Sequence, residues 1–342
     1  MMDEQHQPER WFTNCSPLVN CERYGKDFVC ETIPDDIKGG ARLLRLIRGV
    51  IRNEVAVIHQ TGKDIFFLVV FNKLFLGGRR RIVGVDFQFS RPQANLTGKI
   101  KASVWKWVWS NVNLVIAHMR YIRSLEIFYG IKKERFVFVP FKINGYENLS
   151  DFDVSDKGYL FTGGYSWRDY KTFCDAMTLL PDIPAKLVTL NPESLSVHGV
   201  YDNNICAPDN VEVIRHDQNP ETWLEFLGNS RCVVIPISSE TICSNGISVC
   251  LNAMGLRKPV VISRSPAVDG IFESGEECLI VEFNDPEGMA SAIRKVWSDS
   301  AFREDLAERG CNAAKAFGGV EELMERIATS VIASRKGFSK AG

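Results

Sequence analysis

Short apolar runs recur along almost the whole chain. Between them lie segments whose apolar positions repeat at helical spacing. In the first half, residues 55–59, 82–87, 114–117 and 136–140 have the length and β-branched content of buried strands, and 28–33 is a weaker first one. Residues 41–52, 64–76, 99–111 and 121–130 predict the helices between them. A polar stretch at 142–157 (KINGYENLSDFDVSDK) then reads as a linker. Beyond it the alternation restarts. Strands are predicted at 159–162, 186–190, 211–214, 232–237, 260–263 and 279–283, and a helix from Tyr170. Further helices are predicted at 220–228, 247–256, 286–297, 301–317 and 320–333. Continuous rather than alternating strands are expected when helices cover both faces of a parallel sheet.

Two successive arrays of this kind predict an α/β chain of two Rossmann-like, doubly wound domains facing each other across a cleft. The expected division is 1–150, 151–320 and a last helix within 321–342 that crosses back to the first domain. The length of 342 residues agrees with two domains. In open parallel sheets ligands bind at the carboxyl ends of the strands, so the cleft is the expected site.

Charge refines this picture. Residues 1–150 carry 23 Lys and Arg against 14 Asp and Glu, and the remainder 18 against 28. A basic half joined to an acidic half points to an anionic partner for the former, or to unrelated drift of the two surfaces. Trp105, Trp107 and Trp109 alternate beside Lys99, Lys101 and Lys106, and Arg42, Arg45, Arg48 and Arg52 lie on one predicted helix. This mixture suits an anionic membrane interface; it also suits ordinary helix packing. No nucleic-acid reader motif accompanies it. The ten cysteines form no CxxC pair, and Cys15, Cys21 and Cys30 lack partners for a zinc site. With a polar opening (MMDEQHQPERW) and no apolar stretch of spanning length, the expectation is a reduced, cytoplasmic protein that is at most peripheral on the membrane's inner face.

Two segments carry candidate chemistry. In YLFTGGYSWRDYK (159–171) a strand ends at Gly163 and Gly164, and a helix follows with Arg168 and Lys171 near its start. Glycines admit close approach of a ligand, a helix start offers free N–H groups, and two cations complete a diphosphate pocket. A tight turn with a solvated basic helix fits the same spacing. In ETICSNGISVCLNAM (240–254) a second helix opens near Gly246, with Ser244 or Asn245 as its expected cap. The N–H groups of Gly246, Ile247 and Ser248 would form a second anion cradle, with Asn252 on the same helix. An ordinary capped core helix is the alternative.

The stretch 159–317 resembles the C-terminal domain of family 4 glycosyltransferases (glycosyl transferases group 1), which have the GT-B fold. LNAMGLRKPVVI (251–262) is similar to their LEAMAxGxPVV signature, and GEECLIVEFNDP (275–286) to the gNGllvpxxDP segment that follows. The resemblance implies that Gly163, Gly164, Arg168 and Lys171 bind the donor diphosphate. It places Gly246, Ile247 and Ser248 at the phosphates and transferred sugar, Asn252 at the ribose, and Arg215 and His216 near the base. It further implies retention of anomeric configuration; with Arg168 and Lys171 at the departing diphosphate and no DxD-type motif placed to hold a metal, no metal or other cofactor is expected. The family's paired glutamates would stand at Ser244 and Asn252, and neither is acidic.

In the first half Asp86 and His59 end predicted strands and are candidates for the acceptor side, Asp86 as orienting group or base. His118 reads as satisfying a local backbone group. The resulting expectation is transfer of a sugar from a nucleoside-diphosphate sugar to a hydroxyl of a glycan or lipid-linked acceptor, in polysaccharide or glycolipid synthesis. The alternatives are a non-catalytic GT-B protein that binds a glycan or partner, and a sugar-nucleotide epimerase on the same fold.

Overall fold

The computed structural model describes residues 7–19, 27–34, 36–152, 154–190, 205–215 and 219–335. Within it the β-branched runs pair as two parallel six-stranded sheets, and the chain divides into two units.

The first unit takes the chain up to His118, Ile122–Pro140, and the C-terminal helix Val320–Ala333. Its elements are β1 (Glu9–Thr13), α1 (Ser16–Val19), β2 (Phe28–Thr32), α2 (Gly39–Arg52), β3 (Val55–His59), α3 (Gly62–Phe75), β4 (Arg81–Val85), α4 (Leu96–Ser110), β5 (Leu114–Ala117), α5 (Arg123–Tyr129) and β6 (Phe136–Phe138). The sheet order is β2-β1-β3-β4-β5-β6. Right-handed crossovers in that order put α2, α3, α4 and α5 on one face, each touching the next. On the other face α1 packs against the C-terminal helix.

The sequence pattern did not reveal β1. Trp11 and Phe12 are fully buried in it, but ERWFT begins with two charges that usually mark a surface. The structure shows where those charges go. Glu9 pairs with buried Arg81 at 2.8 Å and with Arg335 at 2.9 Å, and Trp11 Nε1 donates to the same carboxylate at 2.8 Å. Arg81 also donates to the Val331 carbonyl at 2.7 Å, so this cluster holds the C-terminal helix to the sheet.

The second unit comprises β7 (Leu160–Gly163), α6 (Tyr170–Thr178), β8 (Ala185–Thr189), β9 (Val211–Arg215), α7 (Pro220–Gly228), β10 (Cys232–Ile235), α8 (Ile247–Gly255), β11 (Val260–Ser263), β12 (Leu279–Val281), α9 (Pro286–Ser298) and α10 (Ser300–Lys315). Its sheet runs β12-β11-β10-β7-β8-β9. Successive strand residues enter opposite cores: Phe161, Val188, Val233 and Val260 on the face with α8, and Leu160, Leu187, Val234 and Val261 on the face with α6 and α9. This two-sided burial explains the continuous apolar runs. Cys232, Cys250 and Cys278 are part of these cores, and burial pushes the thiols of Cys232 and Cys278 up to about 12, which makes them inert packing groups.

One buried cation tests the energetics of the second unit. Lys258 donates to the Ser155 carbonyl at 2.9 Å, and desolvation lowers its pKa from 10.5 to about 8. Below pH 8 both folded and unfolded chains carry the proton, and the folded one bears the cost. Between pH 8 and 10.5 the unfolded chain binds more protons, so stability rises with pH. Relative to Lys258→Met, the wild type should gain up to about 3 kcal/mol across that interval. Urea unfolding of both chains at pH 7 and pH 10.5 measures it, and a pH-independent difference would refute it.

Candidate functional site

In the second unit the strand order reverses at β7, which runs on to β8 on one side and borders β10 on the other. Such a switch point leaves a crevice outside the carboxyl ends of the two strands. The segments flanking it are the two that the sequence singled out.

After β7 the backbone turns through Gly164 at φ +118° and Trp167 at φ +53°. The turn is stitched to the end of β10. Arg168 bridges Ile237, Asp169 N–H donates to the Pro236 carbonyl at 3.1 Å, and Ser238 N–H to the Trp167 carbonyl at 2.9 Å. The Arg168 side chain then folds back over the glycines. Its Nε donates to the Gly163 carbonyl at 3.1 Å and its Nη1 to the Ser166 carbonyl at 2.8 Å. A Cβ on Gly164 would lie 2.3 Å from Nη2, so only glycine leaves room for the guanidinium. Tyr170, a residue that the sequence reading passed over, supports the same turn by donating to the Gly164 carbonyl at 2.6 Å.

Arg168 is buried, and desolvation lowers its pKa. Among the described residues no carboxylate pairs with it. Lys171 differs. It lies in the first turn of α6, its side chain is largely exposed, and its ammonium pairs with Asp175 at 2.5 Å along the helix. The cap of that helix is Asp169, which accepts from Thr172 N–H at 3.0 Å.

The second segment opens α8, and here one expectation is corrected. Neither Ser244 nor Asn245 caps the helix. The N-cap is Gly246 at φ +95°, and a Cβ there would meet Ile237 at 2.9 Å. The Asn245 side chain is instead held by the Thr241 hydroxyl at 2.5 Å, and the Ser244 carbonyl accepts from Ile247 N–H at 3.2 Å. Ile237 therefore joins both segments: Arg168 pairs with its backbone and Gly246 lies on its side chain. From 241 to 250 only Gly246 and Ser248 are partly open to solvent.

Asn252 is buried and already has a partner. Its Oδ1 accepts from Asn144 N–H at 3.0 Å, while Asn144 Nδ2 donates to Ser248 Oγ at 2.6 Å. Asn144 belongs to the polar linker, and no sequence signal pairs two asparagines 108 residues apart. Arg215 is exposed and donates to the Leu190 carbonyl at 2.7 Å. His216 lies outside the described residues.

The first unit has its own strand-end cluster. Asp86 follows β4 at φ +52° and is buried. Gln60, at φ +55° after β3, donates to Asp86 Oδ2 at 2.6 Å. His59 Nε2 stands 3.8 Å from Oδ2 and His118 Nε2 3.8 Å from Oδ1. His118 Nδ1 lies 2.8 Å from the Val139 carbonyl, which can only accept, so Nδ1 carries the proton and Nε2 faces Asp86. Asn14, next to β1, brackets the His59 backbone with hydrogen bonds of 2.7 and 2.9 Å. Of five non-glycine residues with positive φ among those described, Gln60, Asp86 and Trp167 sit at these two sites. Local strain of this kind concentrates where function holds the backbone. Also among the described residues, no group of three or more His, Cys, Asp or Glu is arranged to hold a metal ion.

Comparison with known proteins agrees with this architecture. Residues 204–313 match the family model of glycosyl transferases group 1. The chain is 38% identical over 63 residues to the lipopolysaccharide core biosynthesis glycosyltransferase LpsE of Rhizobium meliloti, and 30% identical over 107 residues to LpsD of the same organism. These matches take in 18% and 31% of this chain and span 18% and 27% of the relatives' own lengths. Among solved structures, Anabaena HepE in complex with UDP-glucose superposes with a TM-score of 0.67 at 13% identity, covering 95% of this chain and 99% of that one. The fold is GT-B: two parallel doubly wound units, as the sequence pattern led us to expect.

The Gly164 geometry gives a direct test. Gly164→Ala combines a strained φ with a clash against Arg168, and should lower stability by about 2–3 kcal/mol in urea unfolding. A change below about 0.5 kcal/mol would mean that the guanidinium is not fixed over this turn.

Proposed function

We propose that this chain is a glycosyltransferase that moves a sugar from a nucleoside-diphosphate sugar to a hydroxyl of a glycan or lipid-linked acceptor, in polysaccharide or glycolipid synthesis. The observation that carries the reading is Arg168, a buried guanidinium that among the described residues pairs with carbonyls and no carboxylate, beside the switch-point crevice. A buried charge without a counter-ion is costly, and a diphosphate supplies the missing one. The start of α8 and the Lys171 ammonium add to the same anion site. The UDP-glucose bound by HepE and the lipopolysaccharide roles of LpsE and LpsD support this donor and acceptor class.

In the proposed step the bond from the anomeric carbon to the diphosphate oxygen breaks, and a bond to the acceptor oxygen forms on the same face. The acceptor proton passes to the leaving diphosphate. Arg168 stabilises the charge that develops on that leaving group, so no metal ion or other cofactor is required. Asp86, held by Gln60, accepts a hydrogen bond from the acceptor and orients it, with His59 alongside. Gly163, Gly164, Gly246, Ile247 and Ser248 approach the phosphates and sugar through their backbone. Ser244 and Asn245 shape that loop, while Arg215 lies towards the base. The protein would work in the cytoplasm at the inner membrane face, through its basic first half. No helix among the described residues is long and apolar enough to cross a membrane.

One observation favours a second reading, a non-catalytic GT-B protein. The positions of the family's paired glutamates hold Ser244 and Asn252, and Asn252 spends its carbonyl oxygen on Asn144. Thermal unfolding with UDP, GDP, ADP and CMP separates the two readings. A matching nucleotide at about 100 times its Kd should stabilise by about 2.7 kcal/mol, and Arg168→Ala should abolish that increment. No response to any nucleotide would sink the donor site. In a donor and acceptor screen followed by mass detection, Asp86→Asn keeps the backbone conformation and should lower kcat at least about a hundredfold while leaving nucleotide binding intact. Undiminished transfer by that variant would remove Asp86 from the mechanism.

A further inference from the structure

The first unit carries a surface that its fold does not use. Sixteen large apolar side chains are exposed among the described residues, and eleven of them lie on α2, α3, α4 and α5, the helical layer on one face of the sheet. The same four helices hold ten Lys and Arg against two acids, Asp64 and Glu126. Asp64 is buried against Arg42 at 2.6 Å, so the outward charge is almost wholly positive.

The pattern is sharpest on α4. Leu96, Ile100, Val104 and Trp107, between 43 and 74% exposed, fall within one narrow stripe at helical spacing. Lys99 and Lys106 flank it on one side and Lys101 on the other. The remaining tryptophans of the helix are not part of it. Trp109 is buried against Phe87 and Phe89, and Trp105 packs at its edge on Phe66.

The geometry points to a docking face for an anionic lipid bilayer, with the α4 stripe set into the boundary between headgroups and acyl chains and the lysines reaching up to the phosphates. An apolar stripe bordered by cations lies flat at such a boundary. A second copy of this chain would set one positively charged face against another, which disfavours self-association through this face.

The stripe also follows the Asp86 cluster along the chain. Residues 87–95 connect the carboxyl end of β4 to Leu96, and Phe87 and Phe89 pin that loop on Trp109 at 4.9 Å. A chain docked by α4 thus receives its acceptor from the bilayer, as a lipid-linked glycan whose sugar end reaches Asp86. This last step rests on the sugar transfer proposed above; the docking itself rests on the surface alone.

Vesicle flotation tests it with the full chain. Vesicles of phosphatidylcholine mixed equally with phosphatidylglycerol should carry the protein up, pure phosphatidylcholine should not, and high salt should weaken the binding. Replacing Leu96, Ile100, Val104 and Trp107 together by serine should reduce binding at least about tenfold. These positions are exposed, so the thermal shift induced by the matching nucleotide should persist in that variant. Vesicles with brominated acyl chains should quench wild-type fluorescence, and Trp107→Phe should remove most of the quenching while still floating. Flotation of the quadruple variant like wild type, quenching that survives Trp107→Phe, or no flotation at all would overturn the docking face. Sedimentation showing a wild-type dimer lost in the quadruple variant would assign the stripe to a second copy instead. If docking holds but no nucleotide shifts the melting curve, the transfer reading fails and the membrane surface stands.

Discussion

A guanidinium buried at the end of a strand, with carbonyl oxygens as its partners among the described residues, sets the constraint on which the second unit is built. Moving such a charge out of water costs several kcal/mol, even after relaxation. The surroundings of Arg168 recover part of that through carbonyl dipoles. Gly163 and Ser166 accept its N–H groups, Gly164 gives up its side chain to make room, and Tyr170 holds the Gly164 carbonyl in place. Carbonyl dipoles do not neutralise the charge. Among the described residues the guanidinium therefore has no counter-charge, and an anion beside it would find a donor already oriented, with little reorganisation to undergo. Lys171, exposed and paired with Asp175, has the opposite character. It can swing and be screened by salt, so its contribution to holding an anion is smaller and more dependent on ionic strength.

The reversal of strand order gives that guanidinium its place. β7 and β10 diverge in their connections, and hydrogen bonds from Asp169 to Pro236 and from Ser238 to Trp167 close the junction between the segments that leave them. Ile237 spans it, paired by its backbone with Arg168 and covered on its side chain by Gly246. The start of α8 is consequently fixed relative to the guanidinium by main-chain contacts rather than by long side chains. Ser244 and Asn252 carry no charge, and this framework does not need one there, because it is built from backbone groups. Asn252 instead ties the linker residue Asn144 to α8.

The element pattern was legible because two-sided burial writes itself into the chain as apolar runs; helix ends were readable where turns and caps punctuate them. The strand that escaped, β1, did so because its charges are satisfied inside a cluster formed with Arg81 and Arg335, partners far along the chain. The site was legible to the same extent. Gly163, Gly164 and Arg168 lie within one short segment and announce a turn with a cation. The supports are not local: Gln60 beneath Asp86, His118 behind it, and Asn144 against Asn252. Hydrogen bonds between residues 26 or 108 positions apart follow no period, so only the folded chain displays them. The cap of α8 was misread for a related reason. Polar residues before a helix usually cap it, but here the close approach to Ile237 requires glycine at that position.

The tryptophan-rich helix shows how burial divides a sequence signal into two physical roles. Three indoles at alternate positions look alike in the sequence. In the structure Trp109 anchors the loop after Asp86 through Phe87 and Phe89, Trp105 seals the junction with α3, and Trp107 alone joins the exposed stripe. The inner indole and the outer stripe are thus two faces of one rigid helix. Through Trp109 the helix also holds the loop that follows Asp86, by aromatic packing at 4.9 Å on Phe87 and Phe89. A surface that meets the bilayer and a carboxylate that meets the acceptor would then be positioned by the same element.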